Sequence, residues 1–479
     1  MVAASKAQRR RTFAVGGAIA AAGVVVASRQ AAAGSEGFVA PQVSAKSLRA
    51  ASGLQRSAGL RDFERFGGEE EAQPSWAAAF RTAAGAAAAA ACLGVALLSP
   101  QEALARDGFT GSGAAVNKDP ISLLQLAIPL EETIGEKPAE PVRILQRSIE
   151  EVKARTLTRL YDKVASSAKD ADAQVTSGRK ALLKPVSEKN RAAAEAIADK
   201  ISAELQLAGK GIEKGMNSDA ATEKDAEAAA AVTKSAIACQ KLVGDLEELM
   251  VPPDYKPPTP STDVGPGLPQ LNGRATVEVT LSRPEGSTER KYIVDSETIP
   301  EAKLKITVDG WSAPVSAGNF VDLVQRGFYN GMKVQRADGF IIQTGDSGPK
   351  DENGFRGENG KVRRIPLEIG LRGRQQALYG ETMDEAKLIG RALPKIPFQA
   401  DGAISMARTE FDNDSASSQF FLFLFESDMT PGGKNFMDGR YSSFGYTTEG
   451  LEFLRQIKEG DIIKSITVID GADRLIKGA

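Results

Sequence analysis

In the stretch VQRADGFIIQTGD, residues 334–346, Arg336 precedes the pair Gly339-Phe340, and Gln343 follows the run Phe340, Ile341 and Ile342. Those three apolar residues favour a strand. Arginine carries a permanently charged, planar fork of donors, and a glutamine amide both donates and accepts. Together they could present hydrogen bonds at the edge of an apolar pocket. They could equally be two strand-end side chains facing water, and the stretch alone leaves both open. Other chemistry is ruled out at once. The 479 residues include no histidine, so His-based nucleophile activation, general base catalysis and metal ligation are absent. The two cysteines, Cys92 and Cys239, have no metal-ligand spacing. Cys92 falls in a segment expected to be removed, which leaves one thiol and no internal disulfide.

The elements around this stretch are short strands and Gly-rich turns. After Arg274 come ATVEVTLS, KLKITVDG, FIIQTGD, GAISMA, SQFFLFLF, YSSFGYT and IIKSITVID. A helix is expected over 314–326, with Pro314 in its first turn. Many short strands with a helix or two predict a closed barrel with capping helices. Ahead of it, from about 120 to 251, the chain is rich in Ala, Glu and Lys, a helix-forming composition. Leu145, Ile149, Val152, Leu160 and Val164 form one apolar series. Ile197, Ile201, Leu205 and Ala208 form a second, and Val232, Cys239, Leu242, Leu246 and Leu249 a third. Their spacing predicts amphipathic helices packed as a bundle or long hairpin. Between the two parts, VPPDYKPPTPSTDVGPGLPQLNG at 251–273 reads as an extended, semi-rigid spacer. The fold class is thus α+β and multidomain: a helical bundle, then a β-barrel.

Composition bounds the rest. Lys+Arg is 60 and Asp+Glu is 62, a formal charge of −2, without the basic excess of a nucleic-acid partner. Hydrophobic residues at 42% and charged residues at 25% are ordinary for a soluble protein. The amino-terminal region has its own pattern. KAQRRRT is followed by the apolar FAVGGAIAAAGVVVA and then small residues, the layout of a secretory signal. The segment 37–61 is rich in Ser, Ala and Arg, as in a plastid transit segment. A second apolar run, TAAGAAAAAACLGVALLS at 82–99, ends at Ala103-Leu104-Ala105, a small-x-small cleavage pattern. The series resembles the leaders of thylakoid-lumen proteins in algae with complex plastids. It predicts a cleaved multipartite leader over 1–105 and a mature chain beginning near Arg106. Such a protein is peripheral to the thylakoid membrane at most.

Four segments in order carry a more specific likeness: APVSAGNFVDLV (313–324), VQRADGFIIQTGD, GAISMARTEFDNDSASSQFFLF (402–423) and FMDGRYSSFGYT (436–447). With these, residues 275–470 resemble a cyclophilin domain. The insert RRIPLEIGLRGRQQALYGETMDEA (363–386) and the helical part ahead of the barrel resemble the large thylakoid-lumen cyclophilins. The resemblance implies a helical domain at 106–251, a Pro-rich linker at 252–273 and a cyclophilin-like barrel at 274–479. It also implies a peptidyl-prolyl cis-trans isomerase without metal or cofactor. Arg336 and Gln343 take the catalytic places, with Phe340, Ile341 and Phe421 as the proline seat. Gln419 bonds the substrate backbone, aided by main-chain groups of Ala407 and Arg408. The rim departs from the family: Phe436 and Met437 stand at its Trp-Leu pair, Tyr441 at its His, Ile341 at its Met and Arg408 at its Asn. One residue is also missing between Arg336 and Gly339.

Two functions remain open on this reading. One is an isomerase acting on X-Pro bonds of client proteins, photosystem II subunits among them, in support of that photosystem's assembly. The other is a catalytically weak or inactive proline-peptide-binding assembly factor, or a regulator of a thylakoid protein phosphatase, acting through the helical domain. Arg336 and Gln343 speak for the enzyme; Phe436 and Tyr441 speak for the binding module.

Overall fold

The computed structural model describes residues 117–130, 140–213, 223–258, 267–287, 291–294, 296–346, 354–424 and 435–478. The leader, transit segment and cleavage expectations fall outside them. The helical part contains α1 (Pro120–Ala127), α2 (Glu140–Leu157), α3 (Tyr161–Thr176), the single turn α4 (Arg179–Leu182), α5 (Arg191–Glu213) and α6 (Glu223–Glu248). Their core follows the apolar stripes: Leu145, Ile149, Ile201, Leu205, Cys239 and Leu246 are buried together. Alanines at 194, 198 and 236 are also buried, so the helices approach closely. One stripe is interrupted. Arg159 takes a left-handed φ of 58°, which resets the helical phase before α3. Leu160 is consequently 46% exposed instead of joining the core.

Asp119 caps α1, accepting from Ile121 N at 3.1 Å, and Pro120 supplies the first helical residue. The same carboxylate takes Lys153 Nζ at 2.7 Å and Gln240 Nε2 at 2.8 Å. A single side chain thereby holds α1 against both α2 and α6.

The strands are β1 (Gln270–Leu271), β2 (Arg274–Ser282), β3 (Tyr292–Val294), β4 (Glu297–Ile299), β5 (Glu301–Asp309), β6 (Arg336–Ala337), β7 (Ile341–Thr344), β8 (Glu368–Ile369), β9 (Leu378–Tyr379), β10 (Ala403–Met406), β11 (Phe420–Phe423), β12 (Ser443–Glu449), β13 (Ile462–Asp470) and β14 (Leu475–Ile476). Helix α7 (Pro314–Gln325) follows β5, and the single turn α8 (Leu451–Leu454) follows β12. Eight strands form one antiparallel sheet in the order β13-β2-β5-β12-β10-β11-β7-β6. The sheet is curled as a half-barrel, and the chain just before β6 reaches β13 at the opposite edge. That junction is the Lys333–Ile462 bridge, with Gly331 N donating to Ile463 O at 2.7 Å and Val334 N to Asp461 O at 2.7 Å.

Strand alternation divides the residues between two faces, and a register shift in the β10–β12 ladder resets it in β12 between Phe444 and Tyr446. Ile342, Ile404, Phe420, Leu422 and Phe444 turn inward to a core shared with Phe320 of α7 and Tyr329. Ile341, Ala403, Phe421, Phe423 and Tyr446 turn outward into a second cluster, which Leu123, Leu124 and Ala127 of α1 complete.

The described helical and sheet parts lie within one compact unit. Buried Arg274 pairs with fully buried Asp309 at 2.8 Å, faces the Trp311 ring and donates to Leu124 O of α1. Trp311, just past β5, packs into the helical core. The ends of the Pro-rich segment are also tied down. Tyr379 Oη donates to Pro258 O at 3.0 Å, and β1 pairs with β14.

Candidate functional site on the outer face of the sheet

Register sets the site. Arg336 of β6 pairs with Gln343 of β7, and Gln343 pairs with Phe421 of β11. Residues directly opposite in an antiparallel ladder share a face with Cβ atoms about 5 Å apart. Guanidinium, amide and aromatic ring therefore stand in one row across three strands. The stretch that allowed a solvent-facing reading from sequence puts Gln343 at 6% exposure.

The amide of Gln343 donates to Gln419 Oε1 at 2.7 Å. Gln419 precedes β11, and its carbonyl accepts Ala407 N at 2.9 Å. This fixes the backbone of Ala407 and Arg408 along the row. The Arg408 side chain is itself engaged: Nε and Nη2 donate to Arg440 O at 3.1 and 2.9 Å. Its guanidinium also lies over the Tyr441 ring, 5.0 Å from the centroid.

The apolar seat is closed. Phe421, Ile341 and Met437 are 3%, 1% and 1% exposed. Tyr441 meets Phe421 edge-on at 5.6 Å, and Phe398 stacks on it at 6.1 Å with an interplanar angle of 12°. Phe340 and Tyr441 are partly buried against the same cluster. Phe436 stays at the rim, 39% exposed. Burial pushes the Tyr441 phenol above its ordinary pKa. All the residues singled out in sequence thus gather around one place, Phe436 at its outer margin.

Two participants escaped the sequence reading. Asp338 accepts Arg336 Nε through Oδ2 at 2.5 Å and also pairs with Nη2. An Asp-Gly pair is a turn signature, so the turn was legible but its arginine partner was not. Phe398 lies beyond the insert in KIPFQADG, where no local pattern marks it. Its backbone N–H donates to Asp438 Oδ1 at 2.7 Å. Burial raises the Asp438 carboxyl from 3.8 to about 7.

The insert braces the rim. Met383 N donates to Gly439 O at 2.8 Å, and Arg440 pairs with Asp384. Glu368, fully buried, accepts Ser316 N at 2.8 Å and Val315 N at 3.2 Å at the start of α7. Its carboxyl also lies 2.8 Å from the Tyr379 hydroxyl oxygen. Among the described residues, no cluster of three or more His, Cys, Asp or Glu side chains could hold a metal, and no helix is long and apolar enough to cross a membrane.

The family model for cyclophilin type peptidyl-prolyl cis-trans isomerase/CLD matches residues 293–472, from β3 to just past β13. The chain is 35% identical over 365 residues to the chloroplastic peptidyl-prolyl cis-trans isomerase CYP38 of Arabidopsis thaliana, covering 75% of each protein. It is 36% identical over 374 residues to a thylakoid lumen peptidyl-prolyl cis-trans isomerase of Synechocystis, covering 78% of this chain and 87% of that one. A further Arabidopsis thaliana protein, the chloroplastic isomerase CYP37, is 36% identical over 209 residues.

Proposed function

Because the chain belongs to the cyclophilin-type peptidyl-prolyl cis-trans isomerases, we propose that its outer-face row isomerises X-Pro bonds with Arg336 as the donor. By family it is a peptidyl-prolyl isomerase, and its long-matching relatives put it in the plastid thylakoid lumen.

Rotation about an X-Pro bond faces a barrier of ~18–20 kcal/mol from conjugation of the nitrogen lone pair with the carbonyl. No covalent bond breaks and no proton has to leave, so a site without histidine suffices. A donor aimed at the prolyl nitrogen stabilises the twisted imide, in which that lone pair is freed. A preorganised donor in a dry site does this better than water. Arg336 supplies it. Phe340, Ile341 and Phe421 hold the pyrrolidine ring, with Met437 beside them. Gln419, with the main chain at Ala407 and Arg408, aligns the peptide. Phe436 and Tyr441 shape the rim. The observation that carries this reading is the cross-strand row Arg336–Gln343–Phe421.

The clients are proline-containing proteins, and we assign photosystem II subunits as the main ones, with the helical part (106–251) as the docking unit. The closed seat supports a second reading, a binding module that holds a proline segment and turns it over slowly or not at all. Here Tyr441 and Phe398 have to part before a ring can enter, and the helical part docks an assembly partner or a thylakoid protein phosphatase.

Exchange NMR on an X-Pro peptide, with affinity titrated alongside, separates the two. The enzyme reading expects wild-type protein to accelerate exchange, and Phe421→Ala to weaken rate and binding together. Binding without acceleration would leave only the module.

A further inference from the structure

We propose that Asp338 is the positioning residue of Arg336, a role that rests on the isomerase reading of this site. The aspartate spans two structures with its two oxygens. Oδ1 accepts the backbone N–H groups of Phe340 at 3.1 Å and Ile341 at 3.2 Å, the side-chain-to-backbone bonding of an Asx turn. Oδ2 takes Arg336 Nε and Nη2. The carboxylate is therefore fixed by the same backbone that carries the proline seat, and it passes that position on to the guanidinium. Gly339, at φ +87°, lets the chain close this turn in a conformation that a side chain would strain.

Arg336 needs such an anchor because of where it sits. Strand β6 has only two residues and lies at the edge of the sheet, with β7 as its one ladder partner. An arginine on a short edge strand has many rotamers, and a donor that wanders loses the benefit of preorganisation. With Nε and Nη2 on the carboxylate, the fork geometry fixes where the third nitrogen, Nη1, stands relative to Gln343 and Phe421. The pair is partly exposed, at 23% and 35% for the two side chains. Solvent then screens much of the carboxylate's charge, so orientation dominates over any loss of positive field at the prolyl nitrogen.

The test compares Asp338→Asn, Asp338→Ala and Arg336→Ala in the full chain, using exchange NMR, peptide titration, thermal melting and the Arg336 Nε–Hε resonance. Asparagine keeps an acceptor for the two turn amides but puts an NH2 group opposite the guanidinium. Asp338→Asn should therefore lower turnover roughly tenfold, leave peptide affinity within about twofold, preserve the melting temperature and speed exchange of Hε with solvent. Asp338→Ala should lose turnover similarly and also melt earlier. If Arg336→Ala abolishes turnover while Asp338→Asn leaves it unchanged or raises it, the inference is overturned and the isomerase reading stands. Unchanged Hε exchange in Asp338→Asn overturns it as well. If wild-type protein does not accelerate exchange at all, the isomerase reading fails first and takes this role with it.

Discussion

Asp438 shows how a single side chain outside the donor row governs the seat. Its carboxylate receives the N–H of Phe398, whose ring stacks on Phe421, so its charge state bears on the wall of the proline pocket. Burial holds its folded pKa at about 7, against an ordinary 3.8. A carboxyl raised in the folded state favours the protonated fold. Its contribution to stability is present below about pH 4 and lost as pH rises through 7. Asp438→Asn removes that dependence, so the variant's melting temperature minus that of wild type should climb between pH 4 and 7. A difference that stays flat would refute this assignment. At this scale the sequence revealed the residue types well. Arg336, Gln343 and Phe421 share a row because antiparallel register puts them there; in the sequence only the family resemblance grouped them. The closure of the seat was not legible. It depends on Phe398, brought in from far along the chain, and on the way the bulky Tyr441 ring lies against Phe421.

Elements carry the rim. The 363–386 insert forms the β8–β9 hairpin around a small core of Leu367, Ile369, Leu371 and Met383, and it bears on the loop that presents Phe436, Met437 and Tyr441. Gly439 is the contact point. It has φ +77°, and a Cβ there would come within 2.5 Å of Met383 Sδ. Gly439→Ala combines a strained backbone with that collision. It should cost more than about 1 kcal/mol of stability and also shift peptide affinity by moving the rim, read by denaturant melts and titration together. A stability loss with unchanged affinity would show that the insert does not shape the rim. The sequence located α7 within a residue at each end, with Pro314 in its first turn. The segment IIKSITVID coincides with β13 (Ile462–Asp470). The bracing was hidden because the insert's partners are a glycine and an arginine some sixty residues downstream, and no local period reports such a contact.

For the whole molecule, the joint between helices and sheet is the least expected feature. A Pro-rich spacer suggested two parts held apart, yet α1 completes the outer-face cluster that contains the seat, and Trp311 lies in the helical core. The helical stripes were readable from spacing; the docking was not, because Leu123 and Leu124 look like any other helix residues. Arg274 tests the joint. Its loss would leave buried Asp309 without its ion-pair partner, held only by the Trp311 and Ser312 N–H groups, a change that costs up to about 3–5 kcal/mol for a buried pair. Arg274→Ala should therefore lower the unfolding midpoint sharply and red-shift Trp311 emission; a surface-like effect on both would contradict the packing. The same outer face packs against α1 at one end and presents Arg336, the donor claimed for catalysis, at the other. The most direct test of that claim is the turnover of an X-Pro peptide by Arg336→Ala, measured by exchange NMR with peptide affinity alongside. Loss of one preorganised donor should raise the barrier by about 3 kcal/mol, roughly a hundredfold in rate, while affinity changes little. Arg336→Lys should recover little of the rate, because an ammonium lacks the planar fork. Unchanged exchange in Arg336→Ala would mean that Arg336 only holds a ligand, and that the site binds proline without turning it.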